Sequence, residues 1–277
     1  MRLVLGRHSW DLSTRALVMG ILNRTPDSFY DGGAHLDMGA FVERAAQLVA
    51  DGADLLDVGG VTAGPGPEVT LDEELERVVP AVEALASRWE VPVSVDTWRS
   101  EVANEAFAAG AVLGNDISGF ADPAYLRVAS AAGASVVATH IRLAPRVPDP
   151  APDYGDVVVE VVAYLAERAA WAAGAGLGPE RVVLDAGLDL GKGPSHSLQL
   201  LRASGRLAAL GHPVLVAASN KAFLGAVLGL GLGERREASL AAAAVAVMRG
   251  ARLVRTHDVV GARRVCATLA AVMEAGD

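Results

Sequence analysis

VMGILNRTPDSFYDGG, residues 18–33, begins as a buried strand and ends as a polar loop. Val18 to Leu22 carry no charge, and Asn23, Arg24, Thr25, Pro26 and Asp27 follow at once. Pro26 lacks a backbone donor and the Gly32-Gly33 pair loosens the backbone, so neither a helix nor a central strand runs through this stretch. A helical pattern then covers 37–51. The order apolar strand, polar loop, helix recurs along the chain, and that recurrence decides the fold.

Strand patterns fall at 17–23, 54–59, 92–96, 112–117, 135–140, 182–186, 213–218 and 252–256. Helical patterns fall at 37–51, 72–88, 99–109, 123–132, 156–174, 197–210, 221–248 and 259–274. Short apolar strands alternating with helices read as βα units with a parallel sheet. The phrases Asp51-Gly52-Ala53, Ala109-Gly110-Ala111, Ala132-Gly133-Ala134 and Arg249-Gly250-Ala251 end helices directly before strands, as glycine in a left-handed cap does. Repeated βα units spanning the chain predict one α/β domain over 1–277, a (β/α)8 TIM barrel, in preference to a doubly wound open sheet. No glycine-rich dinucleotide fingerprint follows the first strand. The glycines at 229–233 predict a break that splits 221–248 into two helices, the second from about Glu234. Residues 2–5 and 15–18 are expected to pair as a short N-terminal β-hairpin around 6–13, a plug at the barrel bottom.

The 277 residues are 52% hydrophobic and 21% charged, which excludes a disordered chain, and the formal charge of −9 argues against nucleic acid as a partner. Cys266, in a late helical pattern, is the lone cysteine, so neither a disulfide framework nor a thiolate zinc cluster is available. It reads as a small core residue. No apolar run has the length of a membrane span and no secretory leader is legible, so a cytoplasmic protein without a membrane partner is expected.

In a barrel, chemistry gathers at the C-terminal strand ends. Those ends carry Asn23, Asp57, Asp96, Asn115 with Asp116, His140, Asp185, Ser219 with Lys221, and Arg255 with His257. Asp96, Asn115 and Asp185 follow VPVSVD, AVLGND and RVVLD, and carboxylates with an amide suit the donor–acceptor edge of a flat nitrogen heterocycle. The competing reading has each Asp cap the next helix. Asp57 and Asp116 are weaker candidates that orient neighbours. Arg255 and His257 after the last strand read as an anion pocket, and Lys221, at a helix start, sits over the heterocycle. The amide of Asn23 can join a magnesium shell otherwise made of diphosphate oxygens and water. His140 is either an acid–base group or structural. The loops 24–35 and 60–68, with Thr25, Ser28 and Thr62, are expected to close over a substrate.

MGILNRTPDSFYDGG at 19–33, GADLLDVGG at 52–60, PVSVDTWRSEVA at 92–103 and NDISG at 115–119 resemble signatures of the dihydropteroate synthases, of the pterin-binding barrel family. LDAGLDLGK at 184–192, SNK at 219–221 and RTHDV at 255–259 are looser matches. The resemblance implies a transferase of folate synthesis that joins a pterin methyl diphosphate to 4-aminobenzoate with release of diphosphate. It implies pterin binding by Asp96, Asn115, Asp185 and Lys221. It implies diphosphate binding by Asn23, Thr62, Arg255 and His257, with Mg2+ at Asn23, and a 4-aminobenzoate site at Ser28, Thr62, Pro65 and Ser219. Asn23, Lys221 and Arg255 would carry the catalysis, and a homodimer is expected.

The chain departs from the family pattern at Val61, where an acidic residue is usual, and at Gly64 and Asn220, where arginines are. Ala186, Leu188, Asp189 and Leu190 replace a proline, an apolar residue, a glycine and an aromatic. NRTPDSFYD together with GGVTAGPG also looks like the divergent synthase-like paralogues of actinobacteria. The alternative expectation is therefore a pterin-binding paralogue with lost or changed catalysis; a third is a transferase acting on another pterin or methyl carrier. Arg24 is expected to make up for the missing loop arginines.

Overall fold

The computed structural model describes residues 1–25 and 37–275. Its strands are β1 (Arg2–Leu5), β2 (His8–Asp11), β3 (Leu17–Asn23), β4 (Leu55–Gly59), β5 (Val93–Asp96), β6 (Leu113–Asp116), β7 (Ser135–Thr139), β8 (Val182–Asp185), β9 (Val214–Val216) and β10 (Leu253–Thr256). The helices are α1 (Met38–Ala50), α2 (Leu71–Ala86), α3 (Ser100–Ala108), α4 (Tyr125–Ala131), α5 (Val157–Gly174), α6 (Pro194–Arg202), α7 (Ser204–Ala208), α8 (Ala222–Leu228), α9 (Arg236–Met248) and α10 (Val259–Glu274). Strands β3 to β10 close into a parallel barrel, with β10 paired to both β3 and β9. The expected (β/α)8 barrel is borne out.

Side chains alternate across each strand, so the register sorts them into two cores. Val18, Leu22, Leu56, Val58, Val93 and Val95 pack outward under the helices. Leu17, Met19, Leu55, Leu113, Val183 and Leu253 point inward and fill the lower barrel. The hairpin completes that inner cluster, because Leu3, Leu5 and Leu12 are fully buried within it. Each such leucine contributes about 1.5–3 kcal/mol of burial. Ser135 Oγ donates to the Val4 carbonyl at 2.5 Å, tying the plug to β7.

The hairpin differs from expectation in its second strand. Leu5 pairs with His8 across a turn at Gly6, so the return strand is 8–11, while Leu17 and Val18 of the expected 15–18 strand belong to the first barrel strand. The reason is that residues 17–22 are uncharged and buried throughout and are needed whole by the barrel. The 197–210 pattern is split at Ala203 into α6 and α7, and α6 starts earlier, at Pro194. The glycine break is present: Gly229 caps α8 with φ 69°, and α9 begins at Arg236 after a short 3-10 turn at Leu232–Glu234.

Helix α2 shows how sequence places a site element. Thr70 and Glu73 form a reciprocal capping box, and Asp72, Glu73 and Glu74 complement the helix N-terminus. Glu74, fully buried, accepts from Thr97 Oγ1 at 2.6 Å and from Arg99 at 2.8 Å, which locks the turn that follows Asp96.

At Gly187 the chain turns sharply with φ 64°, and an added Cβ would run into the His140 carbonyl oxygen. Gly187→Ala should therefore destabilise the protein by more than about 1 kcal/mol; thermal unfolding checks it, and an unchanged midpoint would refute the close approach.

Candidate active site

The register brings Asn23, Gly59, Asp96 and Asn115 into one row across β3, β4, β5 and β6. Gly59 has no side chain, which leaves space between its neighbours: a Cβ there would lie 3.6 Å from Asn23 Oδ1 and 3.5 Å from Asp96 Cβ. One layer below, Asp57 points inward from β4, and Arg255 reaches across from β10. Arg255 Nε donates to Asp57 Oδ2 at 2.6 Å and Nη2 to Asp96 Oδ2 at 2.7 Å. Asn115 Nδ2 donates to the same Asp57 oxygen at 3.2 Å. Asp57, Asp96, Asn115 and Arg255 are thus one connected cluster.

The electrostatics follow from burial among opposite charges. Burial alone would lower the Arg255 pKa, but the Asp57 and Asp96 carboxylates outweigh it and the net shift is upward. Burial pushes the Asp96 carboxyl up to about 7 against the pull of Arg255. Asp185 is also raised by burial; its Oδ1 accepts from Gly187 N–H at 2.9 Å, and Lys221 and Lys192 oppose the rise. Lys221 forms the N-cap of α8, its pKa lowered by burial and held up by Asp189 and Asp185. Asp185 and Lys221 therefore share the field of the cluster.

The expected residues divide as follows. Asn23, Asp96, Asn115, Asp185, Lys221 and Arg255 gather at the C-terminal mouth. Ser219 and His257 meet each other at its rim, Oγ to Nδ1 at 3.0 Å, although one was expected at the arylamine and the other at the diphosphate. Thr62 and Pro65 are exposed on the second loop. Ser28, Pro26 and the Gly32-Gly33 pair lie outside the described residues. Asp116 points away from the pocket and accepts from the N–H groups of Ser118 and Phe120 at 2.7 and 2.9 Å, so it holds its own turn. Asp57, ranked low from sequence, is the hub; its odd-position register with Leu55 was the signal that marks it inward.

His140 is structural. Its Nδ1 faces Lys192 Nζ at 2.9 Å, its ring edge meets Tyr164, and burial with the Lys192 charge lowers it to about 3, so it stays neutral near pH 7. Lys192 also donates to the carbonyls of His140 and Leu190 and pins the loop after β8. Its three acceptors suit an ammonium, although burial draws its pKa down to about 7. Arg24 donates to the Arg77 carbonyl at 2.7 Å and lies 5.9 Å over the Phe41 ring, which turns it toward α1 and α2. Cys266 is buried, and burial raises its thiol to about 11, as suits a core residue.

The model of the pterin binding enzyme family matches residues 19–257. The chain belongs to that family. It is 46% identical over 267 residues to the inactive dihydropteroate synthase 2 of Mycobacterium tuberculosis (strain H37Rv), covering 93% of this chain and 83% of that protein. It is 43% identical over 263 residues to the dihydropteroate synthase of Escherichia coli K12, covering 94% and 92%. The Yersinia pestis dihydropteroate synthase, solved in a complex with a sulfonamide drug, superposes with a TM-score of 0.93 at 37% identity over 100% of both chains. In this pterin-binding enzyme, no group of three or more His, Cys, Asp or Glu residues able to hold a metal occurs among the described residues. Nor does any described helix have the length and apolarity to cross a membrane.

Removing Arg255 leaves two inward carboxylates without their cation. Arg255→Ala should cost about 3–5 kcal/mol. The loss should be largest near pH 8, where Asp96 must be ionised, and smaller near pH 5.5, where its raised pKa lets it take a proton. Urea unfolding at both values measures it; equal losses would contradict the charge argument.

Proposed function

We propose that this chain is a dihydropteroate synthase-type transferase, joining 6-hydroxymethyl-7,8-dihydropterin diphosphate to 4-aminobenzoate with loss of diphosphate. The observation that carries this is the set of acceptors left by the Arg255 cluster. Asp96 commits Oδ2 to Arg255, Asn115 commits Nδ2 to Asp57, and Asp185 commits Oδ1 to Gly187. Among the described residues Asp96 Oδ1, Asn115 Oδ1 and Asp185 Oδ2 accept no hydrogen bond, and besides the deeper, buried Asp57 Oδ1 they offer three acceptors matching the amino and ring N–H groups of a reduced pterin. Lys221 supplies the opposite sign for the ring oxygen or nitrogen.

The diphosphate is assigned to Asn23, Thr62, Arg255 and His257. Arg255 Nη1 makes no hydrogen bond among the described residues, so this guanidinium can bridge the two aspartates and still donate to an oxyanion. Asn23 is a neutral single ligand, which fits magnesium carried in by the diphosphate and does not fit a resident ion held by protein alone. Magnesium bound there would neutralise charge on the leaving group. The arylamine is assigned to Ser28, Thr62, Pro65 and Ser219. Its nitrogen attacks the pterin methylene carbon, the C–O bond to diphosphate breaks as the C–N bond forms, and the amine proton leaves to solvent. The protein's residues orient the two partners and stabilise the departing charge.

A second reading is favoured by one finding: relatives 46% identical over this chain are named inactive synthases. The second loop, Gly60 to Glu68, carries no basic residue, in keeping with weakened anion binding. A protein of that kind binds the pterin without turnover. The homodimer is proposed on the apolar exposure of Val227 and Leu228 on α8, Leu232 just after it, and Val245 and Met248 on α9. A cytoplasmic setting is supported by the single, buried, unpaired Cys266.

Pyrophosphate release should require both substrates together with magnesium; no release under varied metal conditions would overturn the synthase reading. Pterin affinity should fall as pH drops below about 7, approaching tenfold per unit, because Asp96 must be ionised to accept. Asp96→Asn should weaken binding and flatten that profile in calorimetric titration; unchanged affinity would remove Asp96 from the site.

A further inference from the structure

Between the second loop and the segment after β7 lies a cleft of about 300 Å3. Ala63, Gly64 and Pro65 form one wall, Arg146 and Val147 face them, and Leu190 lies at its inner end. Arg146 is tied to the second loop by two hydrogen bonds and passes close to Gly66. Its N–H donates to the Ala63 carbonyl at 3.3 Å, its Nη2 donates to the Pro67 carbonyl at 2.5 Å, and a Cβ on Gly66 would lie 3.1 Å from that Nη2. Its backbone is held at φ 67°, a conformation uncommon for arginine.

The other charges of the cleft are already engaged. Lys192 gives its hydrogens to His140 and Leu190. Asp149 is clamped by Arg142 at 2.5 and 2.7 Å. Asp189 accepts from the Phe223 N–H at the start of α8, 3.3 Å away, and faces the Lys221 charge. Among the described residues Arg146 has no carboxylate partner, and its Nε and Nη1 make no hydrogen bond. A cation with donors to spare thus leans over a loop that has none of its own, above apolar walls.

We propose that Arg146 is a specificity-determining residue that binds the carboxylate of the arylamine substrate in this cleft. The inference rests on the arylamine reading above and adds a residue to it. A flat ring bearing one carboxylate suits Pro65, Val147 and Leu190 beside a single guanidinium. A diphosphate would bring several negative charges next to Asp189 and Asp149, so the carboxylate is the anion the cleft favours.

The test is calorimetric titration of the full chain, with magnesium and pyrophosphate present, using 4-aminobenzoate and its neutral isostere 4-aminobenzamide. The wild type should prefer the carboxylate, and Arg146→Ala should lose about ten- to hundredfold of affinity for it while keeping its affinity for the amide. Gly64→Arg added to Arg146→Ala should recover the preference, because nothing lies within 4 Å of a Cβ at Gly64. A wild type without preference for the carboxylate, or an equal loss for both ligands in Arg146→Ala, would overturn the proposal, the second outcome marking a purely structural arginine. Titration of pyrophosphate alone should be unaffected by Arg146→Ala; a loss there in place of the carboxylate effect would also overturn it. If the carboxylate preference holds while no dihydropteroate forms, the synthase reading falls and the Arg146 assignment stands.

Discussion

A guanidinium inside a barrel must meet negative charge, and Arg255 meets it twice. That requirement organises the mouth. Because the barrel closes with β10 beside β3, Arg255 reaches over that strand to Asp57 on β4 and Asp96 on β5, and the ion pairs tie together strands that do not pair with β10. They also decide which atoms remain for a ligand. Asp96 and Asn115 each serve Arg255 or Asp57 through one atom and keep the other without a hydrogen bond among the described residues. The desolvation of three ionised groups is unfavourable by itself and is offset only while all of them stay together.

Around this centre the helices and loops act as clamps. Glu74 of α2 holds Thr97 and Arg99 just past Asp96, so an outer helix sets the position of an inner carboxylate. Lys192 and His140 hold the loops after β8 and β7 against each other, and Gly187 turns close against the His140 carbonyl just past Asp185. The inner core under the mouth is apolar and plugged by Leu3 and Leu5, so charge is confined to one end of the barrel. Acceptors interleaved with cations at the mouth and apolar loop walls beside it suit a heterocycle, an anionic leaving group and an aromatic amine.

Family membership and charge content point in different directions at the loops. The barrel end retains the polar set expected of a synthase, whereas Gly64 and Asn220 stand where cations are usual. Among the described residues Arg24 donates to the Arg77 carbonyl and lies over the Phe41 ring, on the side of α1 and α2. Arg146 does reach the second loop, from a segment more than seventy residues away along the chain.

The succession of βα units, the inward alternation of strand residues and the chemistry of the strand ends were legible from residue order alone, because side-chain direction in a strand is a local property with a period of two. That sufficed for the barrel and for Asn23, Asp96, Asn115, Asp185, Lys221 and Arg255 at its mouth. The rank of those residues was not local. Asp57 became the hub and Asp116 a loop holder because of partners far away in the chain and the face each one occupies. The return strand of the hairpin, the inert state of His140 and the reach of Arg146 were likewise decided by contacts between distant segments. A residue type announces what an atom can bond to; only closure of the barrel decided which atoms were already bonded and which remained for a ligand.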